Sequence, residues 1–147
     1  MFKHVLLPTD GSRTARKGIR AGIRLAKELG ARVTAYYAVD AMPSYSYSDG
    51  YLLGGAVLKE LDKRAREQGE KYLAEVVKMA KAAGVPCRTL VTKPAAAYQG
   101  IVAAANTQRC DVIFMASHGR GEIRTLLLGS VTQKVLAHSR KPVLVYR

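Results

Sequence analysis

The sequence predicts an α/β fold: a single doubly wound domain over residues 1–147, built on a five-stranded parallel sheet with helices on both faces. Three observations predict it. Short apolar runs of strand length alternate with amphipathic stretches of helix length along the whole chain. Turn and cap residues stand at the junctions, with Ser12 and Pro94 where helices open and Gly30 and Gly84 where they stop. Hydrophobic residues make up 48% of the 147, enough for one core, and no low-complexity linker divides the chain.

Phe2–Leu7 is the first strand, and Pro8 to Ser12 turn away from it. Ser12 N-caps a helix over Arg13–Leu29, because its hydroxyl can accept an N–H that the first helical turn leaves unpaired. Ala15, Ile19, Ile23 and Ala26 recur at helical spacing and face the core. Arg13, Lys17, Arg20, Arg24 and Lys27 recur on another face. This basic stripe reads as a solvated face, since no aromatic residue interleaves with it to stack on bases; the alternative is a grip on a phosphate backbone.

Arg32–Val39 is the second strand, ending at Asp40. Residues 41–55 carry Tyr45, Tyr47 and Tyr51 among Ser, Gly and Pro, either as a surface loop or as a lid over a flat ring. A long amphipathic helix follows from Ala56 to Ala83, with Leu58, Leu61, Ala65, Tyr72, Val76 and Met79 on one side. Cys87–Thr92 is a third, half-buried strand. Pro94 opens a helix over 95–107. Asp111–Ala116 is the fourth strand, Gly129 to Ser139 a helix with Ser130 near its start, and Pro142–Tyr146 the last strand.

Crossovers between parallel strands are right-handed, so reversing the winding puts helices on both faces. Five strands reversing once, after the third, take the order 3-2-1-4-5. Ligands in such sheets sit at the carboxyl ends of the strands, where the winding reverses. That brings Pro8, Thr9 and Asp10 beside Met115, Ala116, His118 and Gly119. Nine residues separate Gly119 from Gly129, and Ser130 follows at once. A glycine turn at a strand end and a Gly-Ser pair at a helix start both gather backbone N–H groups, which attract phosphate. The other account of this spacing is a turn glycine followed by an N-cap. Asp10 would hold a ribose hydroxyl, or only form the turn before Gly11. Arg120 and Arg124 would add charge-assisted contacts to phosphate, or belong to the general basic surface. His118 would contact phosphate or cap the turn; no partner is evident that would make it a general base.

The formal net charge of +13 implies attraction to polyanions without selecting one. Cys87 and Cys110 have neither CxxC nor metal-ligand spacing and read as reduced thiols of a cytosolic protein. No apolar run has the length of a membrane span, and Met1–Pro8 stops too early for a signal peptide. The chain lacks both the Gly-x-x-x-x-Gly-Lys-Ser/Thr loop and the Gly-x-Gly-x-x-Gly fingerprint, and has no evident carboxylate pair for metal-assisted hydrolysis near the phosphate cradle. A binding module, at most a slow ATPase, is the expectation.

Val5–Ser12, Asp111–Gly119 and Leu126–Leu136, the last followed by Lys141–Val145, together resemble the universal stress protein family over the whole chain. The resemblance implies a Rossmann-like domain with the order 3-2-1-4-5. It also implies a nucleotide-binding branch marked by Gly-two-Gly-nine-Gly-Ser/Thr. Carried onto this sequence, the second glycine is Gly119, the third Gly129 and the hydroxyl Ser130, while the first position holds Ala116. By the same resemblance Asp10 holds the ribose and the backbone near Val39 meets adenine. Gly119, Gly129, Ser130, Val131 and Thr132 hold the phosphates of ATP or AMP, with Mg as companion. The function implied is a cytosolic stress-response binding or sensor module. One alternative is a family member that has lost nucleotide binding and acts through protein partners, with Ala116 as its supporting feature. Polyanion binding through the first helix ranks last, and a nucleic-acid partner is not expected. Val143, Leu144 and Val145 form an apolar edge strand in the order above, so a homodimer that pairs the edge with its twin is expected, as the resemblance also implies.

Overall fold

A computed structural model of the protein describes residues 1–40, 54–119 and 128–147. The tyrosine-rich segment over 41–53, Arg120 and Arg124 lie outside the described residues. Five strands are formed: β1 (His4–Pro8), β2 (Arg32–Ala38), β3 (Cys87–Thr92), β4 (Val112–Ala116) and β5 (Val143–Tyr146). Four helices connect them: α1 (Arg13–Leu29), α2 (Gly55–Ala83), α3 (Ala97–Thr107) and α4 (Ser130–His138).

The strands form one sheet in the order β3-β2-β1-β4-β5, and every neighbouring pair is parallel. The winding therefore reverses between β1 and β4, as the crossover rule predicts for strands that turn back after the third. Pro8 pairs with Tyr36, and Ala116 pairs with Tyr146, so all five carboxyl ends share one edge of the sheet.

Period-two alternation divides the core into two layers. On one face Val5, Leu7, Val33, Val112 and Phe114 pack against Ile19, Ile23 and Ala26 of α1 and Leu73, Val76 and Ala80 of α2. On the other, Leu6, Tyr36, Ile113 and Met115 pack against Ile101, Ala104 and Ala105 of α3 and Val135 of α4. Val5, Leu6 and Leu7 of β1 are an unbroken apolar run because both faces of the strand are covered. Leu6 and Leu7 are fully buried, one in each layer, and truncating either to Ala would cost about 2–5 kcal/mol.

Local chemistry sets the helix ends. The Ser12 hydroxyl accepts the Ala15 N–H at 3.1 Å, and Gly30 and Gly84 close α1 and α2 in the left-handed conformation. The basic residues of the first-helix stripe are all exposed. Two expectations need correction. α3 starts at Ala97 rather than at residue 95, since Pro94 packs against Gly100, the chain bends at residues 95 and 96, and Ala96 itself is extended. Leu58 is 37% exposed, and the fully buried residues of α2 begin at Gly69. Cys87 and Cys110 are free thiols; burial pushes the Cys110 thiol up to about 11, so it is an unreactive core group. Among the described residues no helix is long and apolar enough to cross a membrane.

Candidate functional site

The carboxyl ends of β1 and β4 frame the site. After β1, Thr9 donates its N–H to Tyr36 O at 2.9 Å, which ties the turn to β2. Asp10 then folds back on its own backbone: its Oδ1 accepts the Ser12 N–H at 2.8 Å, an Asx-type turn that delivers Ser12 to its capping position. The other carboxylate oxygen faces β4. A Cβ built on Gly119 would stand 2.7 Å from Asp10 Oδ2. The two strand ends meet at this point, and glycine is what permits the approach.

On the β4 side the chain is clasped at its base. Ser117 donates its N–H to Tyr146 O at 2.8 Å, and Gly129 donates its N–H to Ser117 O at 2.7 Å. The Thr132 hydroxyl lies 3.1 Å from Ala116 O and 3.2 Å from Ser117 O. Ser117 Oγ lies 3.0 Å from His118 Nδ1. These bonds bring the end of β4 and the start of α4 together across the intervening segment. They also divide the labour at α4. The Gly129 N–H and the Thr132 hydroxyl hold the clasp, while Ser130, Val131 and Thr132 form the first turn of the helix. That turn carries the positive end of the helix dipole.

A cavity of about 290 Å³ opens between these parts, near the lower end of the range for small-ligand sites, about 300–1,000 Å³. Of the residues singled out in the sequence, Pro8, Thr9, Asp10, Met115, Ala116, His118, Gly119, Ser130, Val131 and Thr132 line it. Gly129 stands behind the wall in the clasp. Val39 does not line the cavity: its side chain is buried and its N–H donates to Thr92 O at 2.8 Å, whereas its neighbours Ala38 and Asp40 do line it.

Ala15, Tyr36, Tyr37, Ala97 and Ile101 also line the cavity and were not foreseen. Ala97 and Ile101 lie one turn apart at the start of α3, an apolar spacing visible in the sequence that gave no sign of facing a cavity. The Tyr36 hydroxyl is 2.7 Å from Thr92 Oγ1. The wall thus has an apolar side made by α3 and β2 and a polar side made by the β1 and β4 turns and α4. Such a division suits a flat base joined to an anion. Asp10 and Asp40 are the carboxylates at the cavity, oxygen donors of the kind Mg takes beside phosphate. Among the described residues no group of three His, Cys, Asp or Glu side chains is arranged to hold a metal on its own.

Comparison with known proteins gives a consistent answer. The model of the universal stress protein family matches residues 1–147. Universal stress protein MJ0531 of Methanocaldococcus jannaschii is 31% identical over 147 residues, covering 100% of this chain and 83% of that protein. The universal stress protein in the QAH/OAS sulfhydrylase 3′ region of Thermus aquaticus is 33% identical, with 100% of both chains covered. The solved structure of MJ0577, also from Methanocaldococcus jannaschii, superposes with a TM-score of 0.82 at 27% identity, over 99% of this chain and 95% of that one. A universal stress protein solved in complex with cAMP superposes with a TM-score of 0.68 at 25% identity, over 99% and 97% of the two chains.

Proposed function

The chain belongs to the universal stress protein family, and on that premise we propose that it binds an adenine nucleotide, ATP foremost, at the carboxyl ends of β1 and β4. The observation that carries the proposal is the convergence of Asp10, Gly119 and the first turn of α4 on one cavity. In this reading Asp10 accepts from a ribose hydroxyl, and the N–H groups of Ser130, Val131 and Thr132 meet the phosphates. The base lies toward Tyr36, Ala38, Ala97 and Ile101. ATP would bring Mg with it, held by its own phosphates and by water. The relative solved with cAMP supports an adenine nucleotide as the ligand class.

The protein acts in the cytosol as a stress-response binding or sensor module, with at most slow ATP hydrolysis. It does so as a homodimer through β5. Leu144 and Tyr146 are 40% and 39% exposed on that edge strand, and an apolar edge of this kind is covered when it pairs with its twin. Isothermal titration with ATP and Mg tests the site. Binding that is lost in Gly129→Val, which puts a branched side chain on the buried residue before α4, is the expected result; affinity left untouched by that change would refute the cradle.

A further inference from the structure

We infer that Gly18 and Ala116 are a matched pair, with Gly18 the positioning residue that keeps the cleft between α1 and β4 at its working width. The inference rests on the adenine-nucleotide reading of the cavity and addresses how an alanine is accommodated at the end of β4.

Ala116 lines the cavity. Alternation along β4 turns its side chain to the face that Phe114 occupies, toward α1, and away from the layer that holds Met115. There α1 passes very close. A Cβ on Gly18 would stand 3.3 Å from the Ala116 methyl, 3.4 Å from its N and 3.5 Å from its Cα. The strand end is held from the other side: β4 pairs with β1 at Val112 and Ile113, Ala116 itself pairs with Tyr146 of β5, and the Ala116 carbonyl accepts the Thr132 hydroxyl at 3.1 Å. One helical turn later the same face repeats the device: a Cβ on Gly22 would stand 2.5 Å from Leu7 Cδ2 and 3.0 Å from Phe114 Cδ1. The helix therefore supplies the room for the methyl that the strand carries.

The consequence reaches the ligand. α1 begins at the turn that holds Asp10, and its Ala15 lines the cavity. If a side chain at position 18 pushed α1 off β4, Asp10 would move relative to Gly119 and the first turn of α4. The Ala116 methyl then does not crowd the nucleotide, and the glycine that the cleft requires sits on the helix instead.

The test compares the intact chain with Gly18→Ala, Ala116→Gly and the double exchange Gly18→Ala/Ala116→Gly. ATP affinity with Mg is read by titration and stability by the unfolding midpoint. Ala116→Gly should bind ATP within about threefold of the parent, and Gly18→Ala should bind about tenfold more weakly and unfold earlier. The double exchange should recover both affinity and midpoint, because it moves one methyl from strand to helix. A tenfold gain of affinity in Ala116→Gly, or a double exchange as weak as Gly18→Ala, would overturn the pairing. If neither parent nor variants bound any adenine nucleotide, the proposed function would fail, while the midpoints would still decide the pair: additive losses in the double exchange would exclude it.

Discussion

Asp10 and Gly119 meet across the seam where the sheet reverses its winding: the Asp10 Oδ2 atom lies 2.7 Å from the place a Gly119 Cβ would take. Gly119 is not in the left-handed region, so close approach is what the position demands. Gly119→Ala should displace the carboxylate and lower ATP affinity about tenfold, with little change in the unfolding midpoint. Asp10→Ala should remove the ribose acceptor and cost about tenfold to a hundredfold in affinity. Titration of both variants checks this; unchanged affinity in Asp10→Ala would take the ribose role from that residue.

The β5 edge predicts the oligomeric state. Phe114 and Tyr146 stack with ring centroids 6.2 Å apart, and Leu144 stands exposed between β5 and solvent. The protein should sediment as a dimer at micromolar concentration. Leu144→Lys should shift it to monomer, since a charge on an edge strand blocks edge-to-edge pairing. A parent protein that sediments as a monomer would contradict the edge assignment.

At the opposite end of the sheet His4 is buried, with Nε2 2.7 Å from Thr34 Oγ1. Burial first, then the charges of Arg32 and Arg88, hold its imidazole below the usual 6.5. The unfolded chain takes up that proton near pH 6.5 while the folded chain resists it, so stability present above pH 6.5 is lost as the pH falls through the folded value. Asp111, beside it, accepts the Lys3 N–H at 2.7 Å and the His4 N–H at 2.9 Å. These bonds, that of Lys3 foremost, hold its carboxyl below 3.8, so its contribution is lost only at lower pH. Denaturant melts of His4→Leu across pH should lose the first decline and keep the second. A parent whose stability is flat below pH 6.5, down to the range of Asp111, would contradict the account of His4.

Arg109 has φ 53°, a left-handed conformation that a side chain opposes, in the turn between α3 and β4. Arg109→Gly should stabilise the protein by about 0.5–1 kcal/mol, a rise of about 1–4 °C in the thermal midpoint. A lowered midpoint would mean that the Arg109 side chain makes a contact worth more than the strain.

The fold was legible because its signals are local. Ser12 and Gly30 mark the ends of α1, and Val5-Leu-Leu7 has the unbroken apolar character of a strand covered on both faces. The polar half of the cavity was legible for the same reason, since Asp10, Gly119 and Ser130 stand at strand ends and a helix start. The apolar half was not. Tyr36 and Tyr37 look like ordinary strand residues, and Ala97 and Ile101 like the core face of a short helix; only the tertiary arrangement of α3 over β2 brings them to the cavity. At Val39 register decides the neighbours: its own side chain enters the core, while Ala38 and Asp40 on either side line the cavity. Gly18 carried no signal by itself, because its role exists only against Ala116, 98 positions later in the chain.

The most direct test of the central claim is mass spectrometry of the small molecules released when the purified, undialysed protein is denatured. Near-stoichiometric adenine nucleotide is the predicted result, and its phosphate count would identify the ligand. A protein that releases none, and that stays silent when titrated with ATP and Mg, would contradict the nucleotide site.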